Sequence, residues 1–265
     1  MKIRGYGAVW TVVLTACIAW HAEAGTVIQQ EEREPGSNKP GQQMTIYVDA
    51  GKLRVEGVDR TTGKYTMIFD ESKQVVWLVD LGKGSYTELT AAEIQGMGQQ
   101  MQQAMKQMEA ELAQMPPEQR KMMEQMMKGR MGGAPGGAPK ATVREKSRGE
   151  KVGQFVCVHY EVLTGGQLSQ EVWAAPASQV QLDDAAYETF RALGRLFESL
   201  SGQAPQGAWV VPGGDQIDGF PVRTILYQGQ KAVSESVVVK IEKRALEAGL
   251  FTLPAGLKKT PMANQ

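Results

Sequence analysis

The chain has 265 residues and balances 29 basic against 29 acidic side chains, so no net field steers it toward nucleic acid or acidic lipid. A hydrophobic share of 42% is ordinary for a globular chain and excludes both wholesale disorder and a multi-span membrane protein. Two cysteines and two histidines leave little from which to build a histidine-rich metal centre or a cysteine–histidine catalytic set.

Lys2 and Arg4 precede a short apolar run at 8–20, and Ala22-Glu23-Ala24 fits a small-x-small cleavage site. This pattern predicts a signal peptide over 1–24, a mature chain without a transmembrane span, and periplasmic localisation. Leu14-Thr15-Ala16-Cys17 also resembles a lipobox, which would give an outer-membrane lipoprotein anchored at Cys17. The apolar run continues past that cysteine, which favours ordinary cleavage. The mature chain then keeps only Cys157 and His159 of their kinds, and no intramolecular disulfide is available.

Residues 25–42 are polar and carry proline and glycine, so they read as a flexible mature N-terminus. A single domain is expected over 43–257, followed by a tail at 258–265. Met44, Ile46 and Val48 alternate, and Leu53 and Val55 return after a turn at 49–52. Apolar strands follow at 65–70, 74–80 and 85–89, with hairpin-like connections that predict an antiparallel sheet. Tyr65, Met67 and Phe69 share one side of their strand while Ile68 lies opposite. Val75, Trp77 and Val79 are likewise opposed by Val76 and Leu78. Strands that are apolar on both sides require cover on both sides.

Thr90-Ala91-Ala92-Glu93 is a capping box that opens a helical insert at 91–131. Ile94, Met97, Met101, Ala104, Met105, Met108, Leu112 and Met115 recur at three- and four-residue steps, which predicts an amphipathic helix. Pro116-Pro117 ends it and opens a second helix carrying Met122, Met123, Met126 and Met127. A Gly/Pro hinge at 132–139 returns the chain to the sheet. Further strands are expected at 152–164, 168–174, 209–211, 220–227 and 232–244. Asp183-Asp184 starts a helix with its apolar stripe at Ala186, Phe190, Leu193, Phe197 and Leu200.

The hairpin around 52–55, the strand around Val76-Trp77-Leu78, and Tyr86-Thr87-Glu88-Leu89 are similar to the start of a bacterial exported family, domain of unknown function 4412. Met115-Pro116-Pro117-Glu118-Gln119-Arg120 and the ending Leu250-Phe251-Thr252-Leu253-Pro254-Ala255-Gly256 resemble further segments of the same family. These motifs are structural and none is catalytic. The resemblance implies an architecture similar to periplasmic lipoprotein carriers (LolA-like), in which a curved antiparallel sheet forms an open half-barrel with helices across its mouth. It carries over no functional residue.

The fold expected is therefore α+β: a curved antiparallel half-barrel sheet with helices packed on it and an inserted methionine-rich helical hairpin. Thioethers at helical spacing have three uses. They fill irregular gaps in a core, form an adaptable apolar surface, or bind Cu(I). The second use makes the protein an exported non-enzyme that binds or carries a hydrophobic small molecule, lipid or acyl chain. Its candidate ligand residues are Tyr65, Met67, Phe69, Val75, Trp77, Met101, Met105, Met108, Met122 and Met126. The metal alternative rests on the i,i+4 pairs Met122/Met126 and Met123/Met127, and a third reading docks a protein partner on the same helices. Cys157 and His159 share a strand face but read as ordinary sheet residues. No serine elbow, phosphate loop or His-Glu-x-x-His supports an enzyme, and no cofactor is implied.

Overall fold

The computed structural model describes residues 24–37, 39–59, 63–116, 118–119, 141–197 and 214–261. Among the described residues twelve strands form one open, curved sheet, and the fold is α+β. In chain order the strands are β1 (Ala24–Arg33), β2 (Gln42–Asp49), β3 (Lys52–Asp59), β4 (Gly63–Asp70), β5 (Val75–Asp80) and β6 (Ser85–Thr90). After α1 (Ala91–Gln114) come β7 (Ala141–Val152), β8 (Phe155–Thr164) and β9 (Gln167–Ala175). The short α2 (Ala177–Val180) and α3 (Asp184–Phe197) precede β10 (Phe220–Gln228), β11 (Lys231–Ala245) and β12 (Lys258–Lys259).

Across the sheet the order is β12-β6-β5-β4-β3-β2-β1-β11-β10-β9-β8-β7. Neighbours are antiparallel except β12, which runs parallel to β6. The ladders from β2 to β6 run without a register shift. Every ladder between β7 and β1 contains at least one. Such irregularities add twist and bend strands, so the sheet has one regular half and one coiled half.

The main core lies on the helical side. Ile46, Val48, Leu53, Val55, Met67, Phe69 and Val76 meet Ile94 of α1 and Ala186, Phe190, Leu193 and Phe197 of α3. Phe190 packs edge-on to Phe220 with ring centroids 5.3 Å apart. Each fully buried large side chain in this layer contributes about 1.5–3 kcal/mol of apolar transfer. The opposite face has separate cover. Ile68, Val75, Trp77 and Val79 sit beneath Leu253 and Leu257, while Tyr160, Val162, Val172 and Ala174 pack with Ile217. The two-sided apolar pattern of β4 and β5 thus finds helices on one side and the C-terminal segment on the other.

Four expectations change. Residues expected to be a loose N-terminus form β1, a central strand hydrogen-bonded to both β2 and β11. Its Thr26, Val27 and Ile28 are buried, which outweighs the polar composition around them. The strand expected at 152–164 begins only at Phe155. Gly153, at φ +57°, turns the chain back from β7, a strand with too few apolar residues to be read as one. The expected tail contributes β12. Lastly, Ile94 and Leu112 of the expected α1 stripe are buried and Met97 packs against the core, but Ala104 of the same stripe is exposed, as are Gln102, Gln103, Lys106 and Gln107. The second helix of the expected hairpin and the strand at 209–211 lie outside the described residues.

Candidate functional site

A cleft of about 510 Å³ opens on the helical side, between the start of α1 and the end of α3. Phe69, Ala91, Ala192 and Leu196 supply its apolar lining, and Glu71, Gln74, Gln95 and Arg195 supply its polar lining. This volume falls within the roughly 300–1,000 Å³ typical of small-molecule sites.

Local chemistry fixes each wall. Asp70 ends β4 and caps a 3-10 turn at Glu71–Lys73, accepting from the Ser72 hydroxyl at 2.6 Å and the Lys73 N–H at 3.3 Å. Burial works against its charge. The hydrogen bonds and the Lys73 ammonium, 2.9 Å away, outweigh burial and hold its carboxyl below the usual range. Gln74 then adopts a left-handed conformation, φ 49° and ψ 49°, and its carbonyl accepts the Ala91 N–H at 3.1 Å. A non-glycine residue there is uncommon and costs about 1–3 kcal/mol of backbone strain.

Helix α1 starts on its expected capping box. Thr90 Oγ1 accepts from Glu93 N–H at 3.2 Å, and Glu93 Oε2 accepts from Thr90 N–H at 2.8 Å. On the α3 wall, the fully buried Thr189 hydroxyl accepts from Gly51 N–H at 2.9 Å and donates to the Ala185 carbonyl at 2.8 Å. Gly51 carbonyl in turn accepts from Glu71 N–H at 2.9 Å. One continuous set of bonds therefore links α3, the β2–β3 turn and the 3-10 turn.

The residues expected to bind ligand are not brought together. Met67 and Phe69 are buried in the main core, and Phe69 reaches the cleft. Val75 and Trp77 belong to the opposite face, because the β4–β5 register pairs Phe69 with Val76 and Ile68 with Trp77. Paired residues share a face, so the two sets cannot line one surface. Tyr65 is 37% exposed, lies across Gly57, and places its hydroxyl 3.3 Å from Met44 Sδ. Met108 is half-buried on α1; the side chains of Met101 and Met105, and Met122, Met123, Met126 and Met127, lie outside the described residues.

The coiled half of the sheet carries a polar wall that sequence reading missed. His159 stacks on Trp173, with centroids 4.0 Å apart, and Arg223 lies over the same Trp173 indole at 4.3 Å. Glu150 accepts from Trp173 Nε1–H at 2.6 Å and from the Ser147 hydroxyl, and lies 3.1 Å from His159 Nδ1. The Ser147 and Trp173 bonds dominate over burial and lower the Glu150 carboxyl to about 2. His159 Nε2 lies 3.2 Å from Glu171 Oε1, off the line of a hydrogen bond. Glu171 instead accepts from Lys146 at 2.8 Å and Tyr227 at 2.6 Å, raising the Tyr227 phenol to about 12. Glu235, 3% exposed, is held by Arg33 at 3.0 Å and Arg223 at 2.7 Å.

The carboxylates of this wall are occupied, while the buried His159 Nε2 is left without a hydrogen-bond partner. Burial raises the Cys157 thiol, so the neighbouring cysteine is not an activated nucleophile. Among the described residues no group of three His, Cys, Asp or Glu side chains is placed to hold a metal ion. No described helix is long and apolar enough to cross a membrane. Asp183 is a helix cap, accepting from Ala186 N–H at 2.8 Å and pairing with Lys243 at 2.9 Å. In the cleft, by contrast, Arg195 makes only an exposed ion pair with Glu188, at 3.7 Å. Gln74 and Arg195 were not singled out from sequence; only the register that seats α3 beside the 3-10 turn assembles them.

Among solved structures the chain is similar to PNGF-II, at 11% identity and TM-score 0.36, covering 90% of this chain and 31% of that one. It is similar to the Pseudomonas aeruginosa MucA/MucB complex at 8% identity and TM-score 0.39, covering 89% and 58%. It is also similar to the LolA superfamily protein NE2245 from Nitrosomonas europaea at 9% identity and TM-score 0.30, covering 88% and 92%. The chain thus spans less than two thirds of the first two. Comparison with curated proteins finds no sequence match. A family profile matches residues 90–257, a span that takes in both helices of the cleft but stops short of its 3-10 turn. The chain belongs to that family, described as Domain of unknown function (DUF4412).

Proposed function

We propose that this is an exported, non-catalytic protein that binds an amphiphile in the cleft between α1 and α3. The observation that carries this reading is the division of the cleft's lining. The half-buried Ala91 and Leu196, with the exposed edges of the core residues Phe69 and Ala192, offer a shallow apolar bed, and Glu71, Gln74, Gln95 and Arg195 line its polar side. An apolar chain in that bed gains about 0.8 kcal/mol for each methylene removed from water, while the head group keeps polar partners. The leader-like run at 8–20 supports export. The absence of activated nucleophiles among the described cleft residues supports binding over catalysis.

The test is a cleft-filling substitution. Ala91 is half-buried at the first position of α1, where a larger side chain projects into the cleft without overpacking the core. Titration with a fluorescent fatty-acid analogue should show saturable binding at one site, and Ala91→Trp should weaken it about tenfold while the melting temperature is kept. Absence of saturable binding to the unaltered protein, or unchanged affinity in the variant, would sink the reading.

A further inference from the structure

We infer that the cleft selects a zwitterionic head group, one that joins an anion to a primary ammonium. This deepens the amphiphile reading and rests on it. Two opposite charges line the same cleft from different elements: Arg195 from the last turn of α3, and Glu71 from the 3-10 turn after β4. A simple anion would meet the Arg195 guanidinium but also the Glu71 carboxylate. A simple cation would meet the reverse. Among charged heads, one carrying both signs is attracted by both walls and need not set either wall charge against its own sign, which is specificity by repulsion as well as attraction.

The state of the two charges supports this assignment. Arg195 has a carboxylate neighbour in Glu188, at 3.7 Å, but both side chains are more than half exposed. Such a pair contributes little and yields to a better-placed anion. The Glu71 carboxylate has no hydrogen-bond or ion-pair partner among the described residues, although its backbone is tied at both N–H and C=O. Its placement is therefore fixed while its charge stays available.

A third lining residue, Gln74, adds the backbone observation. Gln74 lines the cleft and holds a left-handed backbone that glycine would adopt without strain, yet it carries a carboxamide side chain. A carboxamide both donates and accepts, so Gln74 and Gln95, which line the same cleft, suit either half of a zwitterion. Binding moves no proton and breaks no covalent bond.

The experiment compares four single-chain lipids with the same acyl chain, titrated below micelle formation into the purified full-length protein. Their heads are phosphoethanolamine, phosphocholine, phosphoglycerol and an uncharged glycerol ester. The expected order places phosphoethanolamine about tenfold above phosphoglycerol, with phosphocholine between because its methylated ammonium cannot donate a hydrogen bond. Glu71→Gln should abolish the preference for phosphoethanolamine over phosphoglycerol. Arg195→Gln should weaken all three phosphates while leaving the glycerol ester unchanged. Both residues are on the surface, and unchanged melting curves will show that each variant is folded.

If all four lipids bind with one affinity, if Glu71→Gln keeps the preference for phosphoethanolamine over phosphoglycerol, or if Arg195→Gln leaves the phosphates as strong relative to the glycerol ester as before, head-group selection is wrong and the amphiphile cleft stands. If none binds, the glycerol ester included, the cleft reading itself is overturned. A preference for phosphoglycerol over phosphoethanolamine would mean that Arg195 acts alone, which also refutes the inference.

Discussion

At the scale of single residues the polar wall shows how a sheet stabilises groups that composition marks as surface. Glu150 gathers the Trp173 indole, the Ser147 hydroxyl and His159, and its carboxyl falls from an ordinary 4.5 to about 2. A depressed folded-state value means that the ionised form stabilises the fold. This contribution is complete above the ordinary value and is lost as pH falls through the folded one. Because the Glu150 side chain is 41% exposed, solvent screening keeps the effect modest. The expected outcome is that Glu150→Gln, which keeps an acceptor for Trp173 but removes the charge, flattens the fall in stability between about pH 4.5 and pH 2. Urea midpoints measured across that range would decide; parallel profiles would show that Glu150 is not a source of the acid dependence.

At the scale of elements, β1 and β7 mark the limit of what the sequence disclosed. Alternation in β2 to β5 and the capping box of α1 were legible because each is a local signal: period two, or a fixed three-residue spacing. Strand β7 presents Arg144, Glu145, Lys146, Arg148 and Glu150, charges that protect an outermost strand from pairing with other chains and so erase the apolar pattern by which strands are recognised. Strand β1 has only Val27 and Ile28 as large apolar residues, and its remaining buried side chains are polar. Its place is set by ladders to β2 and to β11, the latter more than 200 residues away, which no local window sees. The cleft was half legible for the same reason: Phe69 and α1 were in view, but the union of Glu71 with Arg195 is a long-range contact.

A central β1 makes a sharp prediction. Ile28 is fully buried between Ile46 and Ile241, so Ile28→Ala should cost about 2–5 kcal/mol, whereas Gln29→Ala, at the exposed neighbouring position, should be near neutral. Chemical denaturation of the two variants would measure this difference. Equal, small effects would show that the strand is peripheral to the fold.

At the scale of the whole molecule, the two faces of the sheet have different occupants and should be separable. The helices and the cleft lie on one face. On the other, Leu253 and Leu257 close over Ile68, Val75, Trp77 and Val79. The segment carrying them is tied down along its length. Arg54 donates to the Leu250 carbonyl at 3.1 Å, Lys258 N–H to Gly84 at 3.0 Å, and Thr260 N–H to Tyr86 at 2.8 Å. Glu88 accepts from both Lys259, at 2.6 Å, and Trp77 Nε1–H, at 3.0 Å, and is held below the usual carboxylate range mainly by Lys259. The C-terminal segment is thus the outer layer of this half of the sheet. Replacing Leu253 and Leu257 together by alanine should lower stability by about 1–3 kcal/mol, since both are only partly buried. It should also shift tryptophan emission to longer wavelength as Trp77 gains water, and that shift should vanish in a Trp77→Phe background. Lipid affinity at the cleft should stay as it was, because Trp77 and the cleft belong to opposite faces. A loss of binding in step with the emission shift would mean that the ligand occupies the outer face, with the C-terminal segment as its cover.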